Sequence, residues 1–285
     1  MLKLRVLTIS VLLPLFVWLL LFASNTVFLW VTVVIISLAV FEWLKLLKLN
    51  NLVFSCLLVI FLAIIGFFIV NKKIFFNDLY YLNQMMVTAC GFWLFVFCWF
   101  FLLNHNNIIL QPQTKLKKFF WVIASLFYCL LALIPSWLVM NYLKIHNDYL
   151  LTLACSIVIA ADIGAYIGGK LFGKHKLTIV SPGKTWEGII GGYIGAILVA
   201  IVYLIILNTK PHLHLHVISM LGIILLTSIT FIFSVVGDLF ESLLKRIAMV
   251  KDSGSILPGH GGILDRIDSF CAGIPMFLYS FLFLS

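Results

Sequence analysis

Apolar runs of about twenty residues follow one another along almost the whole chain, and no other feature limits the fold as severely. They fall at roughly 6–23, 27–44, 52–71, 84–103, 119–141, 149–169, 187–208, 217–237 and 264–285. At 1.5 Å rise per residue, each is long enough to cross the hydrocarbon core of a bilayer as a helix. Lipid offers no partners to backbone N–H and C=O groups, so the runs must be helices that satisfy themselves. The expected fold is therefore all-α, a polytopic membrane protein of about nine transmembrane helices with no separate soluble domain. The stretches between runs at about 170–186 and 238–263 are too short for one. Any chemistry has to sit at helix ends and in those loops.

Charge supports the count. If nine helices alternate from a cytoplasmic N-terminus, 15 of the 19 Lys and Arg fall on the cytoplasmic side. Lys72, Lys73, Lys144 and Lys210 fall on the other. The positive-inside rule then puts the two charged loops in the cytoplasm and the C-terminus outside. The formal net charge of +9 is thus a topology signal and not a nucleic-acid-binding surface. Six cysteines lie inside apolar runs without a C-x-x-C pair, and they read as small packing residues.

The chain is also lopsided. Only Glu42, Asp78 and Asp148 of its ten acidic residues precede position 150. Residues 1–148 read as about five helices of bulky apolar filler, with Glu42 at a helix end. Residues 149–285 read as a catalytic region of about four helices and two cytoplasmic loops. Here Gly164 and Gly168, Gly188 and Gly192, and Gly191 and Gly195 stand four apart, the spacing that lets helix backbones approach closely.

The charges of this second region cluster. In "GDLFESLLKR", Asp238, Glu241, Ser242 and Lys245 occupy one face if the helix continues past its apolar part. "LPGHGG", residues 257–262, is too rich in glycine for a helix interior and reads as a backbone-exposed turn, able to present N–H groups to an anion. Asp265, Arg266 and Asp268 follow at the start of the last apolar run. Asp238 ends one run and Asp265 begins the next, so the loop between them brings the two carboxylates together. Hard oxygen ligands among cations suit Mg²⁺, which shares its coordination with substrate phosphates. Zinc is disfavoured, since His260 is the one imidazole nearby. His212, His214 and His216 read as an interfacial turn on the opposite side.

Two further elements belong with these. Asp162 lies inside an apolar run, where a carboxylate is functional by default, with Tyr166 one turn on. "SPGKTWEG", residues 181–188, offers Lys184, Thr185 and Glu187 as a second wall. Metal, glycine turn and cations together suit a reaction between two phosphates, one soluble and one held in lipid.

The segment from Ser242 to Asp268, "SLLKRIAMVKDSGSILPGHGGILDRID", resembles the signature of the phosphatidate cytidylyltransferases, also called CDP-diacylglycerol synthases. "GDLFES" and "SPGKTWEG" are similar to the same family. The resemblance implies that CTP and phosphatidate yield CDP-diacylglycerol and pyrophosphate with Mg²⁺, at the bacterial inner membrane. It implies Asp238 and Asp265 as metal ligands. Lys245, Arg246, Lys251 and Arg266 would handle phosphates, with Asp252, His260 and Asp268 completing the catalytic group. Ser242, Gly259, Gly261 and Gly262, with Ser181, Lys184 and Thr185 of the second wall, are the expected binding positions. CTP, phosphatidate and membrane lipid are the expected partners, nucleic acid is not, and a homodimer is left open. Two other functions compete with this one. A CDP-alcohol phosphotransferase would need a D-G-x-x-A-R string that does not occur. A transporter or channel would use Asp162 as its coupling site and should carry polar residues on several midplane helices.

Overall fold

The computed structural model describes residues 2–71, 79–106, 122–123, 126–178, 180–208 and 219–284. Lys72, Lys73, Lys115, Lys117, Lys118, Lys210 and the three alternating histidines of the expected interfacial turn lie outside these residues. The helices are α1 (Leu2–Leu21), α2 (Asn25–Leu46), α3 (Asn51–Val70), α4 (Leu79–Asn106), α5 (Ile134–His146), α6 (Asp148–Phe172), α7 (Trp186–Asn208), α8 (Met220–Ile247) and α9 (Leu264–Leu284). Eight stretches of the described residues are long and apolar enough to cross a bilayer, and α1 adds a shorter apolar segment, Ser10–Leu21. The fold is all-α and polytopic, as the apolar runs require.

The fourth of these eight spans, Leu126–His146, includes a π-helical turn, Cys129–Leu133, immediately before α5. Pro135 follows that turn and cannot donate to the helical ladder, which locates the widening. Short polar caps close the other breaks: Ser24 accepts from Val27 N at 3.4 Å, Asn50 from Val53 N at 2.8 Å and Ser219 from Gly222 N at 3.0 Å.

Helix α8 does not stop near residue 237, where its apolar run ends. It continues in one piece to Ile247 because the charged extension remains amphipathic, with Phe240, Glu241, Leu243 and Leu244 buried. The packing of α6 on α7 follows the glycine spacing. A Cβ on Gly191 would stand 2.6 Å from the Gly164 carbonyl oxygen, and one on Gly192 or Gly195 would stand 2.8 Å from the carbonyls of Ala161 or Ala160. Those distances leave no room for any side chain larger than hydrogen.

The first half of the chain is more than filler. Trp43 of α2, Trp93 of α4 and Tyr128 are fully or almost fully buried. Tyr128 lies 4.7 Å from Trp43 and 5.2 Å from Phe240 of α8, ring centre to ring centre. Trp93 lies 6.1 Å from the same Phe240. Helices of the first half therefore brace α8 directly, and α8 carries the charged extension. Large apolar side chains elsewhere on α3 and α7, among them Leu52, Val59, Leu198 and Ile205, remain exposed on the protein surface, as a lipid-facing helix requires.

Candidate active site

Five carboxylates and three cations converge on one cavity of about 390 Å³, within the usual range for ligand pockets of roughly 300–1,000 Å³. Asp162, Asp238, Asp252, Asp265 and Asp268 line it with Lys184, Lys245 and Arg266. Tyr166 and Thr185 complete the polar wall, and Ala161, Ala165, Ile189 and Val235 supply an apolar one. The cavity lies where α6 and α8 end and α7 and α9 begin, so a single end of the bundle carries both loops. An intramembrane aspartate, two helix ends and two loops have thus been brought together, as the sequence led us to expect.

One wall is the α6–α7 hairpin. Lys176 and Thr185 pair across it, Leu177 N donates to Lys184 O at 2.8 Å, and Trp186 N donates to His175 O at 3.0 Å. Thr185 then caps α7 by accepting from Gly188 N at 3.1 Å. Glu187 closes the base of the hairpin, taking the N–H of Lys174 at 3.1 Å and pairing with His175 Nδ1 at 2.6 Å. So braced, Lys184 reaches across the cavity to Asp238 of α8, 2.5 Å away.

The other wall is the α8–α9 loop with the helices it joins. Lys245 forms ion pairs with Glu241, one turn earlier on α8, and with Asp265 of α9 at 2.7 Å. Asp265 also accepts from Ser253 N at 3.0 Å and Gly262 N at 2.8 Å. The last contact has the geometry of one arm of a capping box, a first-turn carboxylate reaching back three residues to a free N–H. Ser242 donates to Asp238 at 3.4 Å, and Arg266 holds the His260 carbonyl at 2.9 Å. Asp268 is buried beneath, accepting from Ser269 N at 2.7 Å, while the Ser269 hydroxyl lies 3.5 Å from Asp162.

Several expected residues are close to the cavity without lining it. Arg246 points to the neighbouring wall, donating to Val180 O at 3.3 Å. Lys251 is exposed, the Ser181 carbonyl serves the turn by accepting from Lys184 N, and His260 Nδ1 is buried without a hydrogen-bond partner. Ser242 acts through Asp238. The glycine turn is the largest revision. Gly259 and Gly261 do adopt left-handed backbone, with φ of 77° and 82°. Yet the Gly262 N–H points to Asp265, and a Cβ on Gly261 would stand 2.5 Å from an oxygen of the same carboxylate. At Gly261 and Gly262 the turn encloses a carboxylate of the protein, where the sequence suggested an anion from outside it.

Sequence reasoning missed one residue altogether. Glu42 of α2 is 2% exposed and reaches into the α8–α9 loop, accepting from Leu264 N at 3.0 Å and from the Ser253 hydroxyl at 3.2 Å. Its place as the first acidic residue of the chain, 36 positions before the next, was the available signal.

The donor set fits a hard divalent cation. Among the described residues lining the cavity the possible metal ligands are all oxygen donors, chiefly carboxylates, and the carboxylates outnumber the cations. Lysine ammonium groups rest on Asp238 and Asp265, so both are presented to positive charge from within one space. Among the described residues no three His, Cys, Asp or Glu side chains stand close enough together to hold a metal ion by themselves.

Comparison with known proteins finds relatives that share one name. The phosphatidate cytidylyltransferase of Haemophilus influenzae is 46% identical over 139 residues, 48% of this chain and 47% of that one. The enzyme of that name from Staphylococcus saprophyticus is 38% identical over 174 residues, 60% of this chain and 64% of its own. A chloroplastic phosphatidate cytidylyltransferase of Arabidopsis thaliana is 48% identical over 113 residues, 40% of this chain and 27% of its own. The chain thus spans from about a quarter to under two thirds of these relatives. The model of the cytidylyltransferase family matches residues 3–284, and on that near-complete match the chain belongs to the cytidylyltransferase family.

Proposed function

We propose that the protein transfers a cytidylyl group from CTP to phosphatidate, giving CDP-diacylglycerol and pyrophosphate, at the cytoplasmic face of a bacterial inner membrane. The observation that carries this reading is the cavity itself: ionised groups of both signs at the end of a membrane bundle, beside an apolar wall. The names of the relatives supply the substrates. The excess of lysine and arginine on the loops that share the cavity's end supports the cytoplasmic side.

In the reaction, an oxygen of the phosphatidate phosphate attacks the α-phosphorus of CTP. A new P–O bond forms, the bond from that phosphorus to the bridging oxygen breaks, and pyrophosphate departs. The attacking oxygen is already ionised, so alignment and charge neutralisation matter more than a base. Asp238 and Asp265 would hold Mg²⁺, which supplies charge neutralisation at the phosphates. Lys184, Lys245 and Arg266 add fixed positive charge on three sides. Carboxylates keep Lys184 and Lys245 oriented and the His260 carbonyl keeps Arg266, so little reorganisation is needed as charge shifts to the leaving group. Ala161, Ala165, Ile189 and Val235 would accept the glycerol and first acyl carbons of the lipid. Asp162 and Asp268 line the same cavity and would place further oxygen atoms near the cation.

Purified full-length protein, incubated with α-labelled CTP, phosphatidate and Mg²⁺ in lipid, is expected to give a labelled lipid and unlabelled pyrophosphate. Folded protein that leaves all label in the aqueous phase would remove the reading.

A further inference from the structure

We propose that Glu42, on the second helix and far from the signature in sequence, is a positioning residue that shapes the α8–α9 loop so that it can hold Asp265. The inference deepens the proposed function and rests on the role given there to Asp265.

Two loop residues join the two carboxylates. Ser253 gives its hydroxyl to Glu42 at 3.2 Å and its N–H to Asp265 at 3.0 Å. Gly262 gives its N–H to Asp265 at 2.8 Å, and a Cβ placed on it would collide with the Ser253 hydroxyl and a Glu42 oxygen. A Cβ on Gly254 would meet the other Glu42 oxygen and come within 2.7 Å of its carboxyl carbon. The loop therefore wraps Glu42 on two sides, and a side chain at either glycine would have to displace the Glu42 carboxyl group. Glu42 also accepts the Leu264 N–H, one of the orphan donors in the first turn of α9. One side chain from α2 thus ties the middle of the loop, its end and the helix that carries Asp265.

The arrangement is costly as a stability device. Glu42 is almost completely buried and its Oε1 has no hydrogen-bond partner. An apolar residue would be easier to bury than a carboxylate with one oxygen unsatisfied. What an apolar side chain cannot do is accept from Ser253 and Leu264 at once. Glu42 itself does not line the cavity, so it acts through Ser253 and Gly262 and not on substrate.

The test compares Glu42→Ala and Glu42→Gln in the full chain by backbone amide hydrogen exchange and by kinetics. The alanine variant should speed exchange across 251–264 by at least tenfold while leaving α6 and α7 at the wild-type rate. It should lower kcat by about a hundredfold, the scale of misplacing a reacting group by about 1 Å, with the KM for CTP changed much less. Glutamine keeps an acceptor oxygen of the same reach, and should restore most of the protection and most of kcat. Wild-type exchange in the alanine variant, or a glutamine variant as unprotected as alanine, would overturn the proposal. Should Glu42→Ala fail to insert, Ser253→Ala removes one donor to Glu42 and should raise exchange in the same segment alone; unchanged exchange there would equally overturn it. Exchange needs no turnover, so a chain inactive toward CTP would sink the proposed function while this result still stood on its own.

Discussion

The two walls of the cavity are each pinched by a single pair of facing residues, Lys176 with Thr185 and Leu257 with Gly261, yet they are anchored in different ways. The α6–α7 hairpin is closed by Glu187 and a His175 side chain that is 77% exposed, and it stands on two helices whose backbones touch through glycine. The α8–α9 loop is threaded by two carboxylates, Glu42 and Asp265, whose side chains are almost out of solvent, and is tied to the first half of the chain. Exposed ion pairs contribute little and tolerate change, while removing one partner from a buried set leaves an uncompensated charge. The difference teaches where rigidity is placed: the wall carrying Asp265 is held from within, and the wall carrying Lys184 is held by the helices beneath it.

Substitutions can break that contrast, and the largest effect is expected at Asp265. Asp265→Asn should lower turnover by about a thousandfold, at the upper end for loss of one electrostatic group in a transfer site, while the protein still inserts and extracts normally. A labelled-CTP assay on purified protein checks it, and turnover within tenfold of wild type would contradict the role. Next comes Lys245→Gln. It leaves the Glu241 carboxylate, whose side chain is wholly buried, without its ion-pair partner, and should destabilise the fold by about 3–5 kcal/mol. Thermal unfolding in detergent measures that loss.

For the hairpin wall, the sensitive point should lie in the helices. Gly191→Val forces a side chain against the Gly164 carbonyl and should cost about 1–3 kcal/mol, with a matching drop in thermal midpoint. The smallest effect is expected from His175→Ala, which should leave kcat within about twofold because the pair it breaks is solvent-exposed. If His175→Ala proved as damaging as Lys245→Gln, the contrast between the walls would fail.

How much of this was legible in the sequence depends on what each residue type can report by itself. Long apolar runs report helices because lipid allows little else, and the glycines four apart reported the α6–α7 contact because only backbone proximity makes use of them. Asp162, Lys184, Asp238, Lys245, Asp252, Asp265, Arg266 and Asp268 meet in one cavity, as their positions at corresponding helix ends implied. The glycine turn was harder. Positive φ and bare N–H groups indicate an anion without saying whose, and at Gly261 and Gly262 it is a carboxylate of the chain itself. Glu42 was hidden for a different reason. Its partners are 211 and 222 residues away, and a single glutamate near the end of an apolar helix looks like an interfacial charge. The apolar run stops at Gly237, and the helix continues to Ile247 on a buried face, as the spacing of Asp238, Glu241, Ser242 and Lys245 allowed.

The claim on which the rest depends is that Asp238 and Asp265 share one divalent ion. Iron(II) can replace Mg²⁺ in such oxygen sites and, with peroxide and ascorbate, cuts the backbone beside the place where it binds. Cuts are expected near both residue 238 and residue 265, competed away by excess Mg²⁺, and Asp238→Asn should abolish both together. Cleavage near residue 265 that persists undiminished in Asp238→Asn would mean that the two carboxylates do not hold a common ion.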